Sequence, residues 1–86
     1  MSFVIYCKIN CPQCDRAKKL LQKEQKIIIN CDNFLENDRE NFIITMRRKT
    51  GLEKIVFPLI FIDDDFLGGI EELVEHMMFE LDADDF

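Results

Sequence analysis

Cys11 and Cys14, separated by Pro12 and Gln13, carry the strongest chemical signal in this 86-residue sequence. Proline is favoured in the first turn of a helix, so the tetrapeptide reads as a helix start with Cys11 at or beside the N-cap. Unpaired backbone N–H groups and the positive end of the helix dipole stabilise an anion there, which favours the Cys11 thiolate near neutral pH. Lys8, three residues upstream, adds a positive charge. Cys14 follows one turn later on the same face, within the reach a disulfide needs. Cys11 is therefore expected to attack a disulfide and form a mixed disulfide. Cys14, deeper in the turn and protonated until needed, would then attack the Cys11 sulfur and release the product. The competing chemistry is structural zinc, with Cys7 and Cys31 as the other two ligands. A zinc knuckle, however, holds its cysteines in a tight turn and is followed by a second C-x2-C or a His pair. Here an amphipathic helix begins inside the motif and Cys31 stands alone. Cys7 and Cys31, each at a strand end, read as small buried hydrophobes, with an accessory disulfide left open.

The elements that must position this motif follow from periodicity. Phe3 to Cys7 is a short apolar run, expected as a strand buried on both faces. A helix from Pro12 to about Gln25 places Ala17, Leu20 and Leu21 on the side of Cys14. Ile27 to Asn30 is a second strand. A second helix spans Asn37 to Lys49, with Phe42, Ile43 and Met46 as its apolar stripe, Asn37 or Asp38 as cap and Gly51 at its C-terminal end. Leu59 to Ile62 is a third strand, Asp63-Asp64-Asp65 a polar turn, Phe66-Leu67 a returning strand and Gly68-Gly69 a joint. Ile70, Leu73, Val74, Met77, Met78 and Leu81 then recur at helical spacing. A crossover helix between two buried strands implies a right-handed parallel βαβ unit, and the turn after Ile62 implies an antiparallel neighbour. One mixed four-stranded α/β sheet, in the order βαβ-α-ββα and flanked by three helices, satisfies both.

Composition narrows the function. The whole chain, residues 1–86, is expected to form one domain with a single modest core. At 48% hydrophobic and 33% charged it has the balance of a soluble globule. A net charge of −6 argues against nucleic acid, which is held mainly through Lys and Arg. No stretch approaches the roughly 20 apolar residues that span a bilayer, so no membrane association is expected. The first ten residues do not read as a signal peptide, and the expected compartment is cytoplasmic. Thiols stay mostly reduced there, which again favours redox chemistry over a permanent disulfide framework.

The segment Tyr6-Cys7-Lys8-Ile9-Asn10-Cys11-Pro12-Gln13-Cys14-Asp15-Arg16-Ala17-Lys18-Lys19-Leu20-Leu21 resembles the active-site segment of dithiol glutaredoxins. Phe57-Pro58-Leu59-Ile60-Phe61-Ile62 resembles that family's proline-led third strand. Phe66-Leu67-Gly68-Gly69-Ile70-Glu71-Glu72-Leu73 is similar to its glycine pair and final helix start. The resemblance covers nearly the whole chain, in order and spacing. It implies a thioredoxin-like fold and glutathione-dependent reduction of protein disulfides and glutathione mixed disulfides, with glutathione as co-substrate and no bound cofactor. It further implies that Pro58 is cis and sets the Phe57 backbone beside the active-site cysteine to pair with a bound glutathione. Lys8 would lie by the glycine carboxylate of glutathione, and the backbone of Ile70 and Glu71, after Gly69, by its γ-glutamyl carboxylate. A monomer acting on disulfide-containing or glutathionylated proteins, ribonucleotide reductase among them, is the implied working form.

The departures bear on specificity. Gln13 stands where the family commonly has Tyr and so removes an aromatic wall, Glu71 replaces a more usual Asp, and Val56 a frequent Thr. The loop from Gly51 to Val56 is longer than usual. Arg47, Arg48 and Lys49 form a basic cluster that either helps hold the glycine carboxylate or complements the helix dipole. His76 reads as a surface or half-buried residue, Met77 and Met78 as core filling, and Asp82 to Phe86 as a fraying tail. Two alternatives stay open: a thioredoxin-like donor served by a flavoprotein reductase, and a carrier whose 2Fe-2S cluster is held by Cys11 and glutathione from two monomers. Pro12 argues against the carrier, since cluster-binding members usually have another residue there.

Overall fold

β-branched and aromatic residues dominate the first three of the four segments that pair into a sheet. The structure, a computed structural model, describes residues 2–84 and the side chains of residues 2–78. Strand β1 (Phe3–Cys7) is central: it runs parallel to β2 (Lys26–Asn30), with Ile5 opposite Ile28, and antiparallel to β3 (Leu59–Ile62), with Ile5 opposite Ile60. β3 pairs antiparallel with β4 (Asp65–Gly68), giving the order β2-β1-β3-β4. The turn is shorter than expected, because Asp65 already pairs with Ile62.

The two faces of the sheet are covered unequally. Phe3, Ile5 and Cys7 are fully buried, whereas Val4 and Tyr6 between them are half-buried, so β1 is not enclosed on both faces as its composition suggests. β2 departs further: at the sheet edge it leaves Ile27 57% and Ile28 44% exposed. An uninterrupted β-branched run carries no alternation from which to tell an edge from a centre.

Helix α1 (Pro12–Leu20) ends about five residues earlier than its sequence suggests. Leu21 already caps it, and turn bonds from Gln22 to Lys19 and from Glu24 to Leu21 carry the chain into β2. Its buried face is Cys14, Ala17 and Leu21, while Leu20 is on the outside. The segment read as a single helix is two: α2 (Asp32–Asn37) and α3 (Arg39–Thr50), so four helices flank the sheet rather than three. They break at Asp38, whose φ of −151° and ψ of 47° leave the helical region. The Asp38 carboxylate accepts from the Asn41 side chain at 2.9 Å instead of capping the backbone. A six-residue helix without a buried residue leaves no periodic trace, which is why α2 escapes a reading by pattern.

Helix α4 (Ile70–Asp84) packs against α1, and its His76 ring meets Phe3 edge-on at 6.2 Å. Met77 packs on the core, but Met78 is 58% exposed and is not core filling. Asp82 to Asp84 are helical rather than a tail; Asp85 and Phe86 lie outside the described residues, as does the Leu81 side chain. Phe42 and Met46 of α3 are buried and Ile43 half-buried, as its stripe implies. Gly51 closes α3 with φ 75° and nothing within 4 Å of where a Cβ would stand. Gly51→Ala should therefore cost only the left-handed backbone, about 1–2 kcal/mol. Urea unfolding followed by circular dichroism checks this as a lower midpoint with an unchanged slope.

Candidate active site

The site is assembled where β1 hands over to α1. Asn10 takes φ 56°, a left-handed conformation that Asn tolerates better than most residues, and this turns the chain into the helix. The same turn is clamped from α2. Both carboxylate oxygens of Asp32 accept from the Ile9 N–H, at 3.1 and 3.2 Å, and the Asp32 N–H donates to the Asn30 side chain at 2.9 Å. Sequence reasoning missed Asp32 because a short helix start 23 residues away carries no local signal for that contact.

Cys11 is the N-cap of α1, in extended conformation, and Pro12 follows at the first helical position. The Cys14 N–H donates to Cys11 Sγ at 3.2 Å, so the cap is a sulfur atom held by a helix N-terminal donor. The two cysteines are joined as a disulfide with Cα atoms 5.2 Å apart. Cys11 keeps 9% of its surface exposed and Cys14 only 1%, so an incoming sulfur can meet the first and not the second.

The opposite wall comes from the segment before β3. The Phe57-Pro58 bond is cis, and Pro58 is fully buried. Phe57 is the end of an aromatic column in which Phe34 stacks on Phe42 at 5.5 Å and Phe42 on Phe57 at 6.3 Å. Lys8 places its ammonium 5.7 Å from the Phe57 ring centroid, a cation–π contact that keeps this charge beside the site. That column draws on three distant segments and is invisible to local pattern.

The start of α4 forms the far end. Gly69 occupies the N-cap, its carbonyl accepting from Leu73 N–H at 3.1 Å, and its own N–H donates to Glu72 Oε1 at 2.7 Å. This is half of a capping box. Glycine has no side chain to complete the other half, so it gives the N–H groups of the first turn no side-chain cap. Gly68 has φ 143°, and a Cβ on it would come within 2.5 Å of the Glu72 side chain, so glycine is required there.

Two clefts meet at Gln13, Val56 and Phe57. The larger, about 700 Å³, contains Lys8, Asn10, Cys11 and Pro12; the smaller, about 330 Å³, contains Pro58, Gly69, Ile70 and Glu71. The tertiary structure thus gathers Lys8, Cys11, Gln13, Phe57, Pro58, Gly69, Ile70 and Glu71 around two adjoining clefts, with Cys14 beneath Cys11. It does not bring Arg47, Arg48 or Lys49 there. Arg47 and Arg48 line a separate cavity with Ile44, and Lys49 faces Tyr6 on the other side of α3. All three lie in the last turn of α3, where cations complement the dipole. The cations that join Lys8 in the larger cleft are Arg39 and Lys54, neither of which sequence reasoning singled out.

No protein-family model matches the chain. Glutaredoxin 1 of Rickettsia felis is 36% identical over 76 residues, which cover 86% of this chain and 70% of that protein. The chain belongs to the glutaredoxin family. Reduced Escherichia coli glutaredoxin superposes with a TM-score of 0.71 at 28% identity, covering 95% of this chain and 99% of that one. A buckwheat glutaredoxin solved in complex with glutathione gives 0.75 at 25% identity, over 91% of this chain and 69% of that one. The fold is accordingly thioredoxin-like, and this glutaredoxin is a thiol-disulfide oxidoreductase that works through a dithiol.

The remaining cysteines of this glutaredoxin sit below the site. The Cys31 N–H donates to the Cys7 carbonyl at 2.8 Å, and both side chains are buried. Burial raises the Cys7 thiol, with Lys18 opposing and Asp15 adding to the rise. Burial also pushes the Cys31 thiol from an ordinary 9.0 up to about 11, helped by the Cys7 thiol and the Asp32 carboxylate and opposed by a backbone hydrogen bond from Cys7. A thiol raised on folding holds its proton more tightly in the folded state. Its contribution to stability is therefore intact below about 9 and is lost as the pH climbs towards 11. Urea midpoints taken across that window should fall more steeply for the native chain than for Cys31→Ala. At neutral pH, iodoacetamide on the reduced protein should label Cys11 and leave Cys7 and Cys31 unmodified, as read by peptide mass analysis.

Proposed function

We propose that this glutaredoxin reduces protein disulfides and glutathione mixed disulfides, with reduced glutathione as the electron source. The observation that carries the reading is Cys11, which lines the larger cleft with its Sγ held by a helix N-terminal donor. For a glutathionylated protein, the Cys11 thiolate attacks the glutathione sulfur. The protein's sulfur leaves as a thiolate and takes a proton. A second glutathione thiolate then attacks the glutathione held on Cys11, which releases glutathione disulfide and restores the Cys11 thiolate. For a protein disulfide, Cys11 opens the bond and Cys14 displaces the substrate sulfur from Cys11, leaving the Cys11–Cys14 disulfide. Two glutathiones then reduce that disulfide, so each turnover consumes two thiols and yields one glutathione disulfide.

The chain's own residues supply the binding. Lys8 neutralises the glycine carboxylate, and the Phe57 backbone pairs with the cysteinyl unit. The outward N–H groups at Ile70 and Glu71 receive the γ-glutamyl carboxylate, with Gly69 leaving room for its approach. Gln13 offers an amide where an aromatic wall is common and widens the junction of the clefts. The working form is a monomer in the reducing cytoplasm, serving disulfide-bearing proteins of which ribonucleotide reductase is one.

Hydroxyethyl disulfide turnover coupled to glutathione reductase tests the reading. Cys11→Ser should lose about a thousandfold or more, since the nucleophile is gone. Cys14→Ser should keep most of the activity on glutathione mixed disulfides and lose it on protein disulfides. Undiminished turnover by Cys11→Ser would overturn the proposal.

A further inference from the structure

The two clefts carry opposite charge. The charged side chains of the larger are Lys8, Arg39 and Lys54, all basic, and those of the smaller are Glu71 and Glu72, both acidic. Arg39 and Lys54 are exposed, as are Glu71 and Glu72, so their charges act on whatever fills the clefts. In a chain of net charge −6, a groove at the nucleophile with three cations and no acid is a local reversal of the molecule's field.

Glutathione does not use up this reversal. In the orientation proposed above, its cysteine lies by Cys11, its glycine points into the basic cleft and its γ-glutamyl unit into the acidic one. One glycine carboxylate meets three cations. At the other end the α4 N-terminus offers about half a positive charge, against two formal negative charges from Glu71 and Glu72. The field along the clefts therefore runs from negative to positive in the direction in which a bound peptide runs from N- to C-terminus.

We propose that this glutaredoxin selects protein cysteines preceded by basic and followed by acidic residues. The proposal rests on the glutathione orientation assigned above and extends it from the tripeptide to the protein substrate. The substrate segment lies across the Gln13, Val56 and Phe57 ridge. Its residues after the cysteine face Arg39 and Lys54, and those before it face Glu71 and Glu72.

Two peptides of identical composition and opposite order isolate the effect from net charge: Lys-Lys-Ala-Cys-Ala-Asp-Asp and Asp-Asp-Ala-Cys-Ala-Lys-Lys. Each is acetylated and amidated at its ends and carries thionitrobenzoate on its cysteine as a mixed disulfide. The Cys11 thiolate attacks the peptide sulfur and expels coloured thionitrobenzoate. Cys14 then displaces the peptide thiol and leaves the Cys11–Cys14 disulfide, so the reduced protein gives one balanced turnover without added reductant. Rates are divided by those of each peptide with free glutathione, which removes intrinsic differences in reactivity. The Lys-first peptide should react about tenfold faster at low ionic strength, and the ratio should shrink as salt screens the charges. Combining Arg39→Gln with Lys54→Gln should bring the ratio down to about fourfold, because two of the five formal charges that set the field gradient are gone. Equal rates with the native protein, or a ratio unchanged in the double variant, overturn the proposal. Hydroxyethyl disulfide turnover on the same native sample locates such a failure: if it is present, substrate polarity alone is wrong, and if absent, the underlying glutathione reading fails with it.

Discussion

The site depends on one interaction, a helix N-terminal N–H donating to a sulfur. Cys14 N–H reaches Cys11 Sγ at 3.2 Å only because α1 starts at Pro12 and Cys11 is its cap. The rest of the local structure serves that placement. The buried end of β1 fixes where the turn begins, Asn10 supplies the left-handed residue that reverses the chain, and Asp32 holds the Ile9 N–H from α2. In the disulfide the Cys11 sulfur is neutral; once it is reduced to a thiolate the bond becomes charge-assisted, a kind that contributes about 1.5–3 kcal/mol. That is enough to favour one turn conformation without the help of a large core.

Opposite this nucleophile, the molecule uses packing rather than charge. Pro58 is enclosed, and Phe57 is held by a column of stacked rings that crosses from α2 through α3. Offset aromatic pairs contribute about 0.5–1.5 kcal/mol each beyond their buried area, so Phe34 and Phe42 stiffen a wall they do not themselves form. α4 adds the third side, and its N-cap is Gly69, a residue without a side chain to cap the first turn. Nucleophile, wall and helix start thus come from three separated segments that the central pair β1 and β3 brings together.

Much of this was legible. The C-P-x-C motif, the four strands, the C-cap glycine of α3 and the start of α4 follow from local rules of capping, period and turn chemistry, and the structure agrees with each. What local rules missed has a common cause. α2 is too short to show a period, β2 looks the same in sequence at an edge as at a centre, and Leu20 differs from Leu21 only in which way it faces. The basic residues show the limit most clearly. Arg47, Arg48 and Lys49 are adjacent in sequence and lie away from Cys11, while Lys8, Arg39 and Lys54 are scattered in sequence and share its cleft.

The sequence by itself determined the chemistry: two cysteines one helical turn apart, the first at a capping position, because helix geometry and the dipole act over a few residues. It also determined the order of the strands and of every helix but α2, and hence the mixed sheet. Only the tertiary structure decided that Arg39 and Lys54 join Lys8 at the nucleophile, and which aromatic rings brace Phe57. Those depend on contacts between separate elements, such as Phe42 with Phe57 and Ile9 with Asp32, and they exist only once the sheet has fixed the distance between its strands' ends. Charge segregation into a basic and an acidic cleft belongs to that second class, since a composition of net −6 contains no hint of it.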